Sequence, residues 1–168
     1  MSKFQEMIMT TNFKKSLKRV QDALNERGHA DLTVLELAAS TRTAQEAADA
    51  IGCTLAQIVK SLIFEGEESG DPILVLVSGV NRVNEKTLAK LAGEPIKRAH
   101  PNFVRKRTGF AVGGVPPLGH NDPLQPFIDE DLLQFDEVWA AAGTPHAVFR
   151  LKAADLESLT NGKVVSIK

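Results

Sequence analysis

The sequence predicts a single α/β domain on a mixed β-sheet with flanking helices. Two runs of β-branched and aliphatic residues, Ile58–Phe64 and Ile73–Ser78, lie between acidic or Gly-rich turns and read as central strands. Capped helical segments alternate with strands at irregular spacing, which argues against strict βαβ repetition and for a mixed sheet. The chain has 168 residues, 43% hydrophobic and 24% charged, enough for one domain with a full core.

The first helix follows from Phe13, Leu17, Val20 and Leu24 on one face, closed by Gly28. Thr33–Ala38 reads as a short strand. A second helix starts at the capping box Thr43-Ala-Gln-Glu46, whose end residues satisfy each other's free amides, and stops at Gly52 after burying Ala47, Ala48 and Ile51. Thr54–Gln57 repeats the capping pattern for a single turn that leads into the first central strand. Asn84 caps a short helix to Leu91 with Gly93 as its stop, and Pro101 opens another that runs to Lys106. Strands are predicted over Thr108–Val112, Phe127–Ile128, Glu137–Ala142, Ala147–Leu151 and Val164–Ile167, with a last helix around Ala154–Leu159.

Net charge is −1, which argues against nucleic-acid binding by bulk charge alone. Its distribution is uneven. Between Glu94 and Asp122 there is no acidic residue, while Lys97, Arg98, Arg105, Lys106 and Arg107 are basic. Such a patch suits phosphates, and a solvated helix face explains it equally well. Neither long apolar run is long enough to cross a bilayer, and Met1–Met9 has no apolar block of a signal peptide. The one cysteine, Cys53, fits a reducing cytosol and is expected to be a buried structural residue, so the protein is expected in the cytoplasm, away from membranes.

The stretch Gly109–His120 is the hardest to explain as scaffold. Gly113 and Gly114 allow positive φ and close approach of a ligand to the main chain. Pro116 and Pro117 then lock φ and remove two donors, making the bend rigid. The amides of Gly113, Gly114 and Val115 are thereby presented at a fixed place, where they can hold a carbonyl oxygen, an oxyanion or a phosphate. An ordinary strand connection is the alternative. Lys60 and Ser61 interrupt a strand otherwise apolar on both faces, and a buried lysine is rare unless paired or functional. Ser61 has no adjacent histidine or elbow motif, so it does not read as a nucleophile. His146 ends the turn Gly143-Thr-Pro-His146, where a loop can aim it into a cleft. Arg42 precedes the capped helix, where it can hold an anion or make a surface ion pair. His29, His100 and His120 lack metal-like spacing, and no phosphate loop or dinucleotide fingerprint occurs, so chemistry without metal or cofactor is expected.

In chain order, Thr41-Arg-Thr with Glu46-Ala-Ala, Ile58-Val-Lys60-Ser61-Leu, Ser78-Gly79, Gly113-Gly-Val-Pro-Pro117 and Gly143-Thr-Pro-His146 resemble the YbaK/prolyl-tRNA synthetase associated domain family. The resemblance runs from about Leu17 to Val165, and its most specific part is the strand lysine together with the Gly113 to Pro117 loop. It implies an editing domain, free-standing or synthetase-embedded, that hydrolyses amino acids mis-attached to tRNA, on a mixed sheet curved into a partial barrel. It implies that the Gly113–Val115 amides hold the aminoacyl ester and that Lys60 anchors the terminal adenosine's phosphate or the ester. Arg42, Ser61, Ser78, Pro117, Gly143 and His146 are then expected around the substrate, with the patch from Lys97 to Arg107 on the tRNA. In this family the substrate's own ribose hydroxyl is thought to help activate the water, which agrees with the lack of an evident base. The histidine-bearing segment of the alanyl-specific branch is not found here, so cysteine, alanine, serine, threonine and small unnatural amino acids stay open. Leu35, Leu37, Ser78 and His146 are the candidate selectors. The competing readings are a non-catalytic nucleic-acid-binding module and an adaptor docking on a synthetase. No tyrosine and one tryptophan leave few stacking rings for the former.

Overall fold

The computed structural model describes residues 3–38 and 43–168, with side chains from residue 14 onward. Its strands are β1 (Leu35–Glu36), β2 (Ile58–Gly66), β3 (Pro72–Ser78), β4 (Ile96–Arg98), β5 (Phe127–Asp129), β6 (Glu137–Ala141), β7 (Ala147–Lys152) and β8 (Lys163–Val165). The helices are α1 (Lys3–Glu26), α2 (Ala44–Ile51), α3 (Glu85–Ala92), α4 (Pro101–Thr108) and α5 (Leu156–Thr160). The strands form one mixed sheet in the order β1-β7-β6-β2-β3-β5-β8, with β4 added beside β2. No pairing joins β1 to β8 among the described residues, so the sheet stays open.

Strand β2 is the centre. On one side it pairs along its length with antiparallel β3, from Val59 opposite Ser78 to Glu65 opposite Pro72. Its other side is shared: Ile58 and Val59 pair with parallel β6, and Phe64 to Gly66 with antiparallel β4. Between those two pairings, no strand among the described residues lies on that side of Lys60 to Leu62. The interruption leaves room for a cavity in the middle of the sheet.

Period-two alternation decides what β3 buries. Leu74 and Leu76 enter the main core with Val20 and Leu24 of α1 and Phe149 of β7. Val75 and Val77 face a second cluster with Leu88 of α3 and Ile167. A strand buried on both faces needs an unbroken apolar run, which is what the sequence has.

The Asn84 cap and the Thr43 half of the predicted capping box form. Thr43 Oγ1 accepts the Glu46 N–H at 3.1 Å, and Asn84 Oδ1 accepts that of Thr87 at 3.2 Å. Gly52 and Gly93 close their helices in the left-handed region. Other expectations need correction. Thr108–Val112 is no strand: Thr108 completes α4, its Oγ1 donating to Val104 O at 2.7 Å, and Gly109 at φ 86° ends the helix. Phe110 then turns into the core. The Thr33–Ala38 strand shrinks to the two exposed residues of β1. Strand β4 was missed because it is three residues long, and so was the 3₁₀ turn Glu130–Gln134, capped by Asp129. Cys53 is half-buried against the Ala47, Ala48 and Ile58 cluster rather than fully enclosed, and this burial raises its thiol pKa.

Candidate functional site

Two adjoining cavities, of about 270 and about 610 Å³, open at the gap beside β2. They share Lys60, Ser61 and Leu62 of β2 with Val112, Gly113 and Val115 of the glycine loop. The strand lysine and the loop, 53 positions apart in the chain, thus meet as the sequence pattern implied. The smaller cavity is walled by Ala44, Ala47, Ile58, Trp139 and Val148, all apolar. The larger carries Arg82, Glu85 and Arg98 on its walls.

Lys60 is partly buried, and its ammonium donates to the Asn81 carbonyl at 2.6 Å. Burial lowers its pKa and the neighbouring Arg82 charge adds to that, while Asp129 opposes it. Ser61 Oγ is buried and has no hydrogen-bond partner among the described residues. Leaving such a hydroxyl unsatisfied costs free energy, so a polar group of a ligand is a favourable partner for it.

The glycine loop owes its shape to two close approaches. Gly113 has φ 91°, in the region that favours glycine. A Cβ on Gly114 would lie 2.8 Å from Thr144 Cα and 2.9 Å from the Gly143 carbonyl carbon. The Gly143 N–H also donates to Gly114 O at 2.9 Å, joining this loop to the Gly143–His146 turn. One expectation is corrected: the Gly114 N–H closes a turn onto Ala111 O at 3.0 Å and is not presented to a ligand. Gly113 and Val115 keep N–H groups without a hydrogen bond among the described residues.

Several predicted site residues are placed elsewhere. Ser78 is fully buried, its Oγ donating to Ala56 O at 2.7 Å and its N–H to Asp129 at 3.0 Å, so it braces β3. Pro117 lines a separate cavity of about 530 Å³ against α1. Gly143 is wedged against Ser16 of α1, where a Cβ would come within 2.9 Å of the Ser16 carbonyl. The His146 carbonyl accepts the Leu37 N–H, and His146, Leu35 and Leu37 do not line the two cavities. Arg42 lies outside the described residues.

The basic flank is less bare than its sequence suggests. Lys97 approaches Glu65 at 3.7 Å and Arg98 approaches Glu85 at 4.0 Å. Arg107 is structural: it bonds Asp122 at 2.8 Å and Gly70 O at 3.0 Å, and it covers the Phe103 ring. Arg105 and Lys106 are exposed, with no ion pair among the described residues. All three basic residues in the last turn of α4 also favour the helix C-terminus. Asn81, Arg82 and Trp139, which reasoning from sequence missed, carry no local motif and reach the site only through folding.

Among the described residues no group of three His, Cys, Asp or Glu is placed to hold a metal ion, and no helix is long and apolar enough to cross a membrane. The family model of the aminoacyl-tRNA editing domain matches residues 38–159. The chain is 32% identical to the uncharacterised protein YwhH of Bacillus subtilis, over 78% of this chain and 83% of that one. It is 26% identical to EbsC of Enterococcus faecalis, provisionally named a Cys-tRNA(Pro)/Cys-tRNA(Cys) deacylase, over 74% and 76% of the two chains. A crystal structure provisionally described as a trans-editing enzyme for prolyl-tRNA synthetase superposes with a TM-score of 0.86 at 53% identity, covering 91% of this chain and 96% of that one. The match spans most of the fold, including the lysine strand and the glycine loop, and this chain belongs to the aminoacyl-tRNA editing domain family.

Proposed function

We propose that the deacylase activity of this editing domain acts on tRNA of the proline type carrying a small non-cognate amino acid, by metal-free, substrate-assisted ester hydrolysis. The observation that carries this reading is the junction of the two cavities, which Lys60, Gly113 and Val115 all line. The small apolar cavity suits a short side chain. The larger one, with Arg82 and Arg98, suits the phosphates of the terminal nucleotides. Lys60 stands between them and holds the phosphate or the ester. As water attacks the ester carbonyl, negative charge builds on its oxygen, and fixed N–H donors stabilise that charge. No carboxylate or imidazole lines the smaller cavity among its described residues. The family resemblance implies that the substrate's neighbouring ribose hydroxyl orients the water. The names of EbsC and of the trans-editing structure favour a proline-type tRNA. So does a proline–tRNA ligase of Kosmotoga olearia, of which a stretch 35% identical to this chain makes up 14%.

In this reading residues 1–168 make up a single editing domain, with its core at about 17–165, that works in the cytoplasm. Arg105 and Lys106 contact the tRNA, and a prolyl-tRNA synthetase is the docking partner. Selectivity among cysteine, alanine, serine and threonine rests on the walls of the small cavity, since one methylene is worth about 1–3 kcal/mol. The test is a deacylation screen of the purified protein on tRNA-Pro charged with each of these amino acids, with Lys60→Ala alongside. Turnover of one or more substrates, lowered 10²-fold or more in Lys60→Ala, is expected. Tight binding of charged tRNA with no turnover would favour a binding module instead.

A further inference from the structure

We infer that Asn81 is a positioning residue for Lys60: its side-chain amide, gripped by two carboxylates, fixes the peptide carbonyl that receives the lysine ammonium. The inference rests on the reading of this site as a deacylase centre. Asn81 lies in the loop that leaves β3, and all its N–H groups are committed. Its Nδ2 donates to Asp129 Oδ2 at 2.9 Å and to Asp131 Oδ2 at 2.8 Å, and its backbone N–H donates to Ser78 O at 2.9 Å. Carboxylates only accept, so this orientation of the amide satisfies both of them.

The anchor itself is rigid. Asp129 is 1% exposed at the end of β5, which runs parallel to β3 through Val75–Phe127 and Leu76–Ile128. Its Oδ2 also accepts the Ser78 N–H, and its Oδ1 accepts that of Asp131 at 3.0 Å. Asp131 is held in addition by Lys168 at 2.7 Å. Lysine presents a compact charge on a flexible four-carbon stem, so a fixed acceptor is needed to keep it at one place. The Asn81 carbonyl, 2.6 Å from Nζ, is that acceptor. Arg82, the next residue, lines the same cavity, so the one loop places both cations. Neither carboxylate lines the two cavities, so both act at one remove from the substrate.

The experiment measures kcat and KM for hydrolysis of Cys-tRNA-Pro and Ala-tRNA-Pro by wild type, Lys60→Ala, Asn81→Ala and the double variant, with thermal midpoints for each. Asn81→Ala is expected to lose about tenfold or more in kcat/KM, mostly in kcat. In the Lys60→Ala background the same change is expected to have no further effect, because the lysine it acts through is gone. Asp131→Ala, which removes the outer half of the grip and leaves Asp129 in place, is expected to show a smaller loss with the same dependence on Lys60. It carries the test where Asn81→Ala does not fold. Losses that multiply in the double variant, or a folded Asn81→Ala within twofold of wild type, overturn the inference while the deacylase reading stands. A wild type inactive on tRNA-Pro charged with any of cysteine, alanine, serine or threonine overturns that reading and this inference with it.

Discussion

His120 makes stability depend on pH between about 4 and 6.5. Its Nε2 lies 2.7 Å from Pro116 O, and a carbonyl only accepts, so this nitrogen carries the hydrogen. The ring meets Phe110 edge-on at 6.3 Å. Burial, with the Arg19 and Arg27 charges adding to it, lowers its pKa from 6.5 to about 4, against the opposing pull of the Pro116 carbonyl. In the unfolded chain the imidazole takes up a proton below about 6.5, while in the fold it stays neutral until about 4. Between those values the unfolded state binds more protons, so stability rises with pH. The contribution is complete above the unfolded value and is lost as pH falls toward about 4. The gap corresponds to about 3 kcal/mol, or close to 1.4 kcal/mol per pH unit inside the window. The perturbation is His120→Gln, which keeps an N–H for the Pro116 carbonyl and does not titrate. Urea unfolding of both proteins from pH 7.5 to 4.5 is the assay. Wild type is expected to lose about 2–3 kcal/mol more than the variant across that range. Parallel stability curves would refute the assignment of a partly buried, neutral imidazole behind the Pro116–Pro117 bend.

Lys60→Ala is expected to lower kcat/KM by 10²-fold or more, on the order of losing one charged contact to the transition state, with a thermal midpoint close to wild type. Gly113→Ala is expected to cost more than about 1 kcal/mol in stability, because φ at this position is 91°, and on the order of 10²-fold in kcat/KM as the amides turn away. Calorimetry and kinetics on one preparation check both effects. Replacing Arg105 and Lys106 together by alanine is expected to flatten the salt dependence of tRNA binding by about two units of slope. Arg107→Ala should instead lower the thermal midpoint and leave that slope unchanged, since its guanidinium already serves Asp122 and Gly70. EDTA is expected to leave deacylation unchanged, and a loss of activity restored by added metal would count against the proposed chemistry.

What the sequence determined by itself is local. Thr43 with Glu46 and Asn84 with Thr87 are three residues apart, so their hydrogen bonds follow once a helix starts. The apolar runs of β2 and β3 declare strands enclosed on both faces. The unusual Lys60 and the Gly113–Pro117 loop stood out because each breaks its local pattern. Tertiary structure decided the rest. Asn81, 21 positions from Lys60, comes within hydrogen-bond reach because β3 pairs with β2, and Asp129, 48 beyond that, because β5 docks beside β3. The acid-free flank acquires Glu65, Glu85 and Asp71 from other segments, so its charge is partly answered in space. Ser78 and Gly143 looked like substrate contacts, yet one braces a strand and the other admits α1 against the loop. Hydrogen bonds and Coulomb forces act over a few ångströms of space, and separation along a chain does not specify that distance until the sheet has assembled.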